Sequence, residues 1–152
     1  MPKFMGFFKT TYFVLLVFLC CFTSCGKASG IEQDKDAILK VMKLQENAWN
    51  NYDLEGFMKG YWKNDSLKFY GKSGVTKGWQ NTLDNYKKGY PTPEESGQLK
   101  FTIDDISPID CNSYWAMGQY YLTRTVGDAN GNFLVIFKQI DGEWKIVADM
   151  SS

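Results

Sequence analysis

Asp141-Gly142 lies between two apolar runs, Phe133–Ile140 and Trp144–Met150. Two residues of this type between strand-like runs specify a tight hairpin, because a type I′ turn needs a positive φ at both central positions. The chain must therefore close on an antiparallel pair. The residues before it extend the pattern: Leu99–Ile109 alternates in part, and Ser113–Val126 is rich in Tyr, Trp and Thr. Asp128-Ala129-Asn130-Gly131 marks a turn between the second and third of these segments. The C-terminal half is expected to be an antiparallel meander.

The N-terminal half has a different period. Apolar residues recur at Ile38, Val41, Met42, Ala48, Trp49 and Tyr52, which is helical spacing. Ser29-Gly30-Ile31-Glu32 has the form of a capping box for that helix. Asp53 is placed to cap a short second helix, and Thr76–Tyr90 reads as a third, with Trp79, Leu83 and Tyr86 on one face. Between them Ser66–Tyr70 is strand-like, Gly71–Gly74 reads as a turn, and Pro91–Gly97 as a loop. Helices followed by a meander make an α+β domain.

The first residues stand apart from this domain. Met1–Thr10 carries Lys3 and Lys9 and no acid, and Tyr12–Phe22 is an unbroken run of eleven apolar residues. A spanning helix needs about 20 such residues, so the run reads as an export signal. Thr23-Ser24-Cys25-Gly26 resembles a bacterial lipobox, with Phe22 in place of the usual Leu. This resemblance implies cleavage before Cys25, lipidation of Cys25, and residence in the cell envelope. Residues 1–24 are then signal peptide, 25–30 a lipidated tether, and 31–152 the domain. Acyl chains would hold the domain at a membrane without embedding it. Cleavage leaves 128 residues with a formal charge of −2. Cys111 would remain as the only other cysteine, read as a buried apolar thiol with no intrachain disulfide.

Composition excludes several functions. The 17 basic and 17 acidic side chains give no basic excess for a nucleic-acid surface. With no histidine, a Ser-His-Asp or Cys-His nucleophile and a His-liganded metal are impossible. Asp104, Asp105 and Asp110 lack the spacing of a calcium loop, and Gly71–Gly74 lacks that of a phosphate loop. No metal or cofactor is expected.

Several residues together carry a family resemblance. They are Ala48–Phe57 (AWNNYDLEGF), Gly60-Tyr61-Trp62, Gly74–Trp79 (GVTKGW) and the closing Gly142–Ser152 (GEWKIVADMSS). In this order and spacing the chain resembles the nuclear transport factor 2-like superfamily, in its SnoaL-like and domain-of-unknown-function branches. The resemblance spans about residues 31–152. It implies a cone-shaped fold, a bent antiparallel sheet wrapped on about three helices around an apolar pocket, and a homodimer. Relatives commonly carry a His where this chain has Met150, and a thioether moves no protons.

Candidate site residues follow. Trp49, Tyr61, Trp62, Tyr70, Trp79, Tyr86, Trp115 and Trp144 exceed what packing a small domain requires, and a pocket lined by several of them suits a small, mostly apolar ligand. Arg124, the sole arginine, suits a carboxylate ligand or a buried acid such as Asp149, or else an exposed cross-strand pair. Met150 is taken as a pocket residue in the place of the missing His. Resemblance to ketosteroid-isomerase-type enzymes suggests a carboxylate base, Asp65 or Asp149, with Tyr61, Tyr70 or Tyr120 as donor. Asn64-Asp65-Ser66 is equally ordinary turn chemistry. Three functions remain open: an envelope lipoprotein binding a small, mostly apolar ligand or a partner in its pocket, ranked first because of Met150; an isomerase, cyclase or dehydratase; and a dimeric scaffold using the outer sheet face.

Overall fold

The structure is a computed structural model that describes residues 28–152. The expected signal segment and Cys25 lie outside the described residues. The elements are α1 (Ala28–Asn50), α2 (Leu54–Phe57) continued by a 3₁₀ turn (Met58–Gly60), β1 (Lys68–Gly71), β2 (Gly74–Lys77), α3 (Trp79–Gly89), α4 (Pro93–Ser96), β3 (Gln98–Asp110), β4 (Ser113–Thr123), β5 (Ala129–Ile140) and β6 (Glu143–Ser151). No helix among the described residues is long and apolar enough to cross a membrane.

One six-stranded sheet runs in the order β2-β1-β6-β5-β4-β3. The β3–β6 portion is the expected meander, and Asp141 and Gly142 both have positive φ, 52° and 82°, as the two-residue turn requires. The β1–β2 hairpin joins by a parallel pairing of β1 with β6, Phe69 opposite Asp149. Three single-residue bulges interrupt the register. Asp104 and Ile109 are the extra residues on β3 opposite β4, and Val147 is the extra residue on β6 opposite β5.

α1 buries Ile38, Met42, Gln45 and Trp49, an i, i+4, i+7, i+11 stripe, against the concave face. Facing it are Leu99, Tyr114, Ala116, Leu122, Phe133, Val135, Phe137, Trp144 and Ile146. Asp53 caps α2, its Oδ1 accepting from Gly56 N at 2.7 Å.

Four local expectations are corrected. The helix drawn from Thr76 begins only at Trp79, because Gly74–Lys77 pairs with β1 as strand β2. The turn placed at Asp128–Gly131 lies earlier: Asp128 Oδ1 accepts from Arg124 N at 2.9 Å, and Ala129 already pairs with Leu122. Ser29 lies inside α1, which starts at Ala28, and so is not its N-cap residue. Cys111 is exposed where the chain turns from β3 into β4, not buried as expected, and the other three cysteines, on which the expected absence of a disulfide turns, lie outside the described residues.

Candidate functional site

Between α1, α3 and the concave face of the sheet lies a cavity of about 390 Å³. At about 30 Å³ per water molecule, it has the volume of roughly 13 waters, enough for a ligand of one or two rings. Its inner wall is apolar, with Met42, Phe57, Leu99, Phe133, Val135 and Ile146, while Lys72, Asn85 and Ser152 are exposed at its rim. Tyr86 on α3 meets Phe57 and Phe69 edge-on at centroid distances of 5.2 and 5.7 Å. Trp49 on α1 meets Phe57 and Tyr90 edge-on at 5.1 and 4.7 Å, and its Nε1 donates to Ser96 O at 3.1 Å. These rings have fixed positions, so the wall is preformed.

The bulge at Val147 decides what β6 presents to the cavity. Trp144 and Ile146 point inward, and unbroken alternation would bring Ala148 and Met150 inward after them. The extra residue reverses the parity, so Asp149 and Ser151 face the cavity and Met150 faces out, 50% exposed. Asp149 sits between Val135 of β5 and Phe69 of β1 in the strand register and is only 7% exposed.

Tyr61 is brought to this acid by backbone pairing. It ends the 3₁₀ turn in a parallel bridge to Ile146, and Trp62 N donates to Ile146 O at 2.9 Å. The Tyr61 hydroxyl donates to Asp149 Oδ2 at 2.5 Å, and the Ser151 hydroxyl donates to Asp149 Oδ1 at 2.6 Å. Both lengths are typical of hydrogen bonds to a charged carboxylate. The Tyr86 hydroxyl lies 3.4 Å from that of Tyr61. Since the Tyr61 hydroxyl already donates its hydrogen bond to Asp149, Tyr86 is left as the donor toward Tyr61 or toward a ligand.

Burial raises the Asp149 carboxyl above the ordinary aspartate value, against the lowering effect of the Ser151 and Tyr61 hydrogen bonds. Burial, with the neighbouring Asp149 charge, pushes the Tyr61 and Tyr86 phenols well above theirs. Asp149 is thus a stronger base than a surface aspartate, flanked by phenols that keep their protons at neutral pH.

Among the side chains singled out from the sequence, Trp49, Tyr61, Tyr86, Tyr120, Arg124 and Asp149 line the cavity. Six other aromatic or acidic candidates, and Met150, lie away from it. Asp65 is exposed in the loop before β1. Tyr70 is 53% exposed, on the outer face with Met150. Trp79 donates its Nε1 to Met58 O at 2.9 Å under Lys63, and Trp62 is half-buried beside β6. Trp115 is exposed on β4, and Trp144 packs edge-on against Tyr114 in the core. The Arg124–Asp149 pair does not form: the guanidinium donates to the carbonyls of Gly127 and Glu95 instead. Gln45, Phe57, Phe69, Tyr90 and Ser151 also line the cavity. Of these Tyr90 is legible in the sequence as the last residue of the run read as a helix to Tyr90, although α3 ends at Gly89 and Tyr90 lies just past it. Among the described residues no three acidic or cysteine side chains converge as metal ligands.

No family model matches the chain, and no curated protein matches it. Solved structures do. An NTF-2-like protein of unknown function from Shewanella oneidensis MR-1 is 38% identical with a TM-score of 0.75, the match covering 78% of this chain and 98% of that one. An NTF2-like superfamily protein from Salmonella enterica serovar Typhimurium is 16% identical, with a TM-score of 0.64 and 80% and 92% of the two chains covered. A hexachlorocyclohexane dehydrochlorinase (LinA, type 2) shares the fold at 13% identity and a TM-score of 0.66, covering 83% and 88%. Identity of 38% along nearly the whole Shewanella protein, on the same helix-filled curled sheet, makes this chain a member of the NTF2-like superfamily.

Proposed function

We propose that the cavity binds a small, mostly apolar molecule and moves a proton on it, with Asp149 as the base and Tyr86, backed by Tyr61, as hydrogen-bond donor. The observation that carries this reading is the buried Asp149 carboxylate, raised in basicity and held by Tyr61 at 2.5 Å on the cavity wall. The Asp149 carboxylate would take a proton from a carbon next to a ligand carbonyl, and the Tyr86 hydroxyl would donate to the enolate oxygen as charge develops there. Returning the proton at another carbon gives an isomerisation; losing a β-substituent gives an elimination. Of the three functions left open by the residues alone, this favours proton-transfer chemistry over binding without chemistry. Met150, the ground for ranking binding first, faces away from the cavity.

The test uses cyclic and aryl ketones of one or two rings in D₂O, with hydrogen–deuterium exchange at the carbon beside the carbonyl followed by NMR. The protein should speed exchange of ketones it binds, and Asp149→Asn should return the rate to the solvent background while binding persists. Bound ketones that never exchange faster than in buffer would leave a binding protein and remove the catalytic reading.

Two further readings concern where the domain resides and what it pairs with. We propose that the chain is exported and anchored through lipid on Cys25, which the apolar run and the lipobox-like Thr23–Gly26 support. Labelled palmitate should enter the wild-type chain and not Cys25→Ala. We also propose a homodimer through the outer sheet face. There Met117, Leu134, Met150, Tyr70 and Val75 form one register row across five strands with no charge in it. A continuous uncharged row of this kind suits a self-complementary interface.

A further inference from the structure

The cavity has a second polar wall that the proton-transfer reading leaves unused. Arg124 is held in place from three sides. Its Nε donates to Gly127 O at 2.7 Å, one Nη1 hydrogen points to Glu95 O at 3.4 Å, and its stem lies against Gly97. Gly97 has a φ of 65°, and a Cβ there would stand 2.4 Å from Arg124 Cγ and 2.3 Å from Thr123 O. Only glycine leaves room for the arginine to lie across this turn.

Two of the five guanidinium N–H groups are used by those carbonyls, so the rest of the fork is available. No carboxylate ion-pairs with Arg124 among the described residues. Asp128 beside it takes the Arg124 backbone amide. Tyr90 and Tyr120 line the same part of the cavity, and the Arg124 charge acts on the Tyr90 phenol. Among the described residues, Lys72 is the only other cationic side chain in the lining and Asp149 the only acidic one. A half-buried arginine fixed by main-chain carbonyls, unmatched by an acid and bordered by phenols, is built to receive a carboxylate.

The distance scale also fits. The ring of Tyr86, at the Asp149 end, and that of Tyr90, the residue just past α3 at the Arg124 end, stack with centroids 6.3 Å apart. We infer that the ligand is a small organic acid, its carboxylate forked by Arg124 between Tyr90 and Tyr120 and its apolar body reaching back toward Asp149. This rests on the cavity being the ligand site, and it names the class of molecule that the site selects. The carboxylate would set the register of the body, placing the same carbon at Asp149 in every bound molecule.

The test is a matched pair of probes, 4-phenylbutyrate and its neutral amide, titrated calorimetrically into the full chain in nonionic detergent, with blank micelle titrations subtracted. The acid should bind at least tenfold more tightly than the amide. Arg124→Gln should erase that ratio while leaving the amide affinity unchanged, which shows that the variant keeps its cavity. Tyr90→Phe should reduce the ratio in part. Equal binding of acid and amide to the wild type, or an acid preference that survives Arg124→Gln, would overturn the inference and leave the cavity reading standing. Failure of both probes to bind the wild type would overturn both.

Discussion

Tyr61→Phe removes one hydroxyl and leaves the ring that packs beside Phe57, so it opens no cavity and isolates the bond to Asp149. A hydrogen bond to a buried charge contributes about 1.5–3 kcal/mol, against about 0.5–1.5 kcal/mol for a neutral pair. A domain of this size loses roughly 3–5 °C of melting temperature per kcal/mol, so the variant should melt about 5–15 °C lower at neutral pH. The loss should depend on pH. Burial already holds the Asp149 carboxyl above its unfolded value, and the Tyr61 hydroxyl is one of two groups pulling it back. A carboxyl raised on folding contributes stability that is complete below its unfolded pKa and is lost as pH rises through the folded one. Removing Tyr61's donor raises the folded value further, so this loss becomes deeper and extends to higher pH. Below the titration the acid is neutral, and the deficit should shrink to that of an ordinary hydrogen bond. Thermal unfolding by circular dichroism across the acid-to-neutral range, for Tyr61→Phe with and without Asp149→Asn, reads both effects. A deficit that is the same at every pH, and unchanged in the Asp149→Asn background, would refute the coupling.

Three other outcomes follow from the same structure. Asp149→Asn removes a buried charge, so its melting temperature relative to wild type should improve as pH rises through the Asp149 titration, at the expense of ketone exchange. Gly118→Ala places a Cβ 2.1 Å from Thr102 O, a main-chain atom of the paired strand. Denaturant unfolding should show a loss on the order of 1–3 kcal/mol. Leu134→Glu puts a charge in the middle of the outer apolar row and should turn the proposed dimer into monomer by light scattering, with the fold retained. A wild-type chain that is already monomeric would remove the dimer proposal.

How much of this is legible in the sequence depends on the range of the interaction that decides each feature. The Asp141-Gly142 hairpin, the helical stripe of α1 and the Asp53 cap are settled within a few residues, and each stands where its local chemistry places it. β2 is four residues long and has no apolar alternation of its own; it exists because β1 offers it a pairing edge. The cavity shows the same division. Trp49 and Tyr86 are visible as aromatics on helical faces. Asp149 can be named as an acid on the last strand, but its side of that strand depends on the Val147 bulge. That bulge arises from how β6 must bend against β5 to close the sheet, and no residue type marks it. Met150, taken as a pocket residue because it stands in the place of the missing His, faces out because of the same bulge. Arg124 is recognisable as a lone fork, yet its carbonyl partners come from the turn after β4 and from α4, far apart in sequence.

Everything proposed for the cavity depends on a buried, basic carboxylate facing it. The ¹³Cγ chemical shift of Asp149, followed by NMR from about pH 3 to 9, tests this directly. The midpoint should lie above the ordinary aspartate value of about 3.9 and move higher in Tyr61→Phe. A midpoint at or below that ordinary value would contradict the proposal, since the carboxylate would then be a solvated or charge-paired group with no enhanced basicity to act on a ligand.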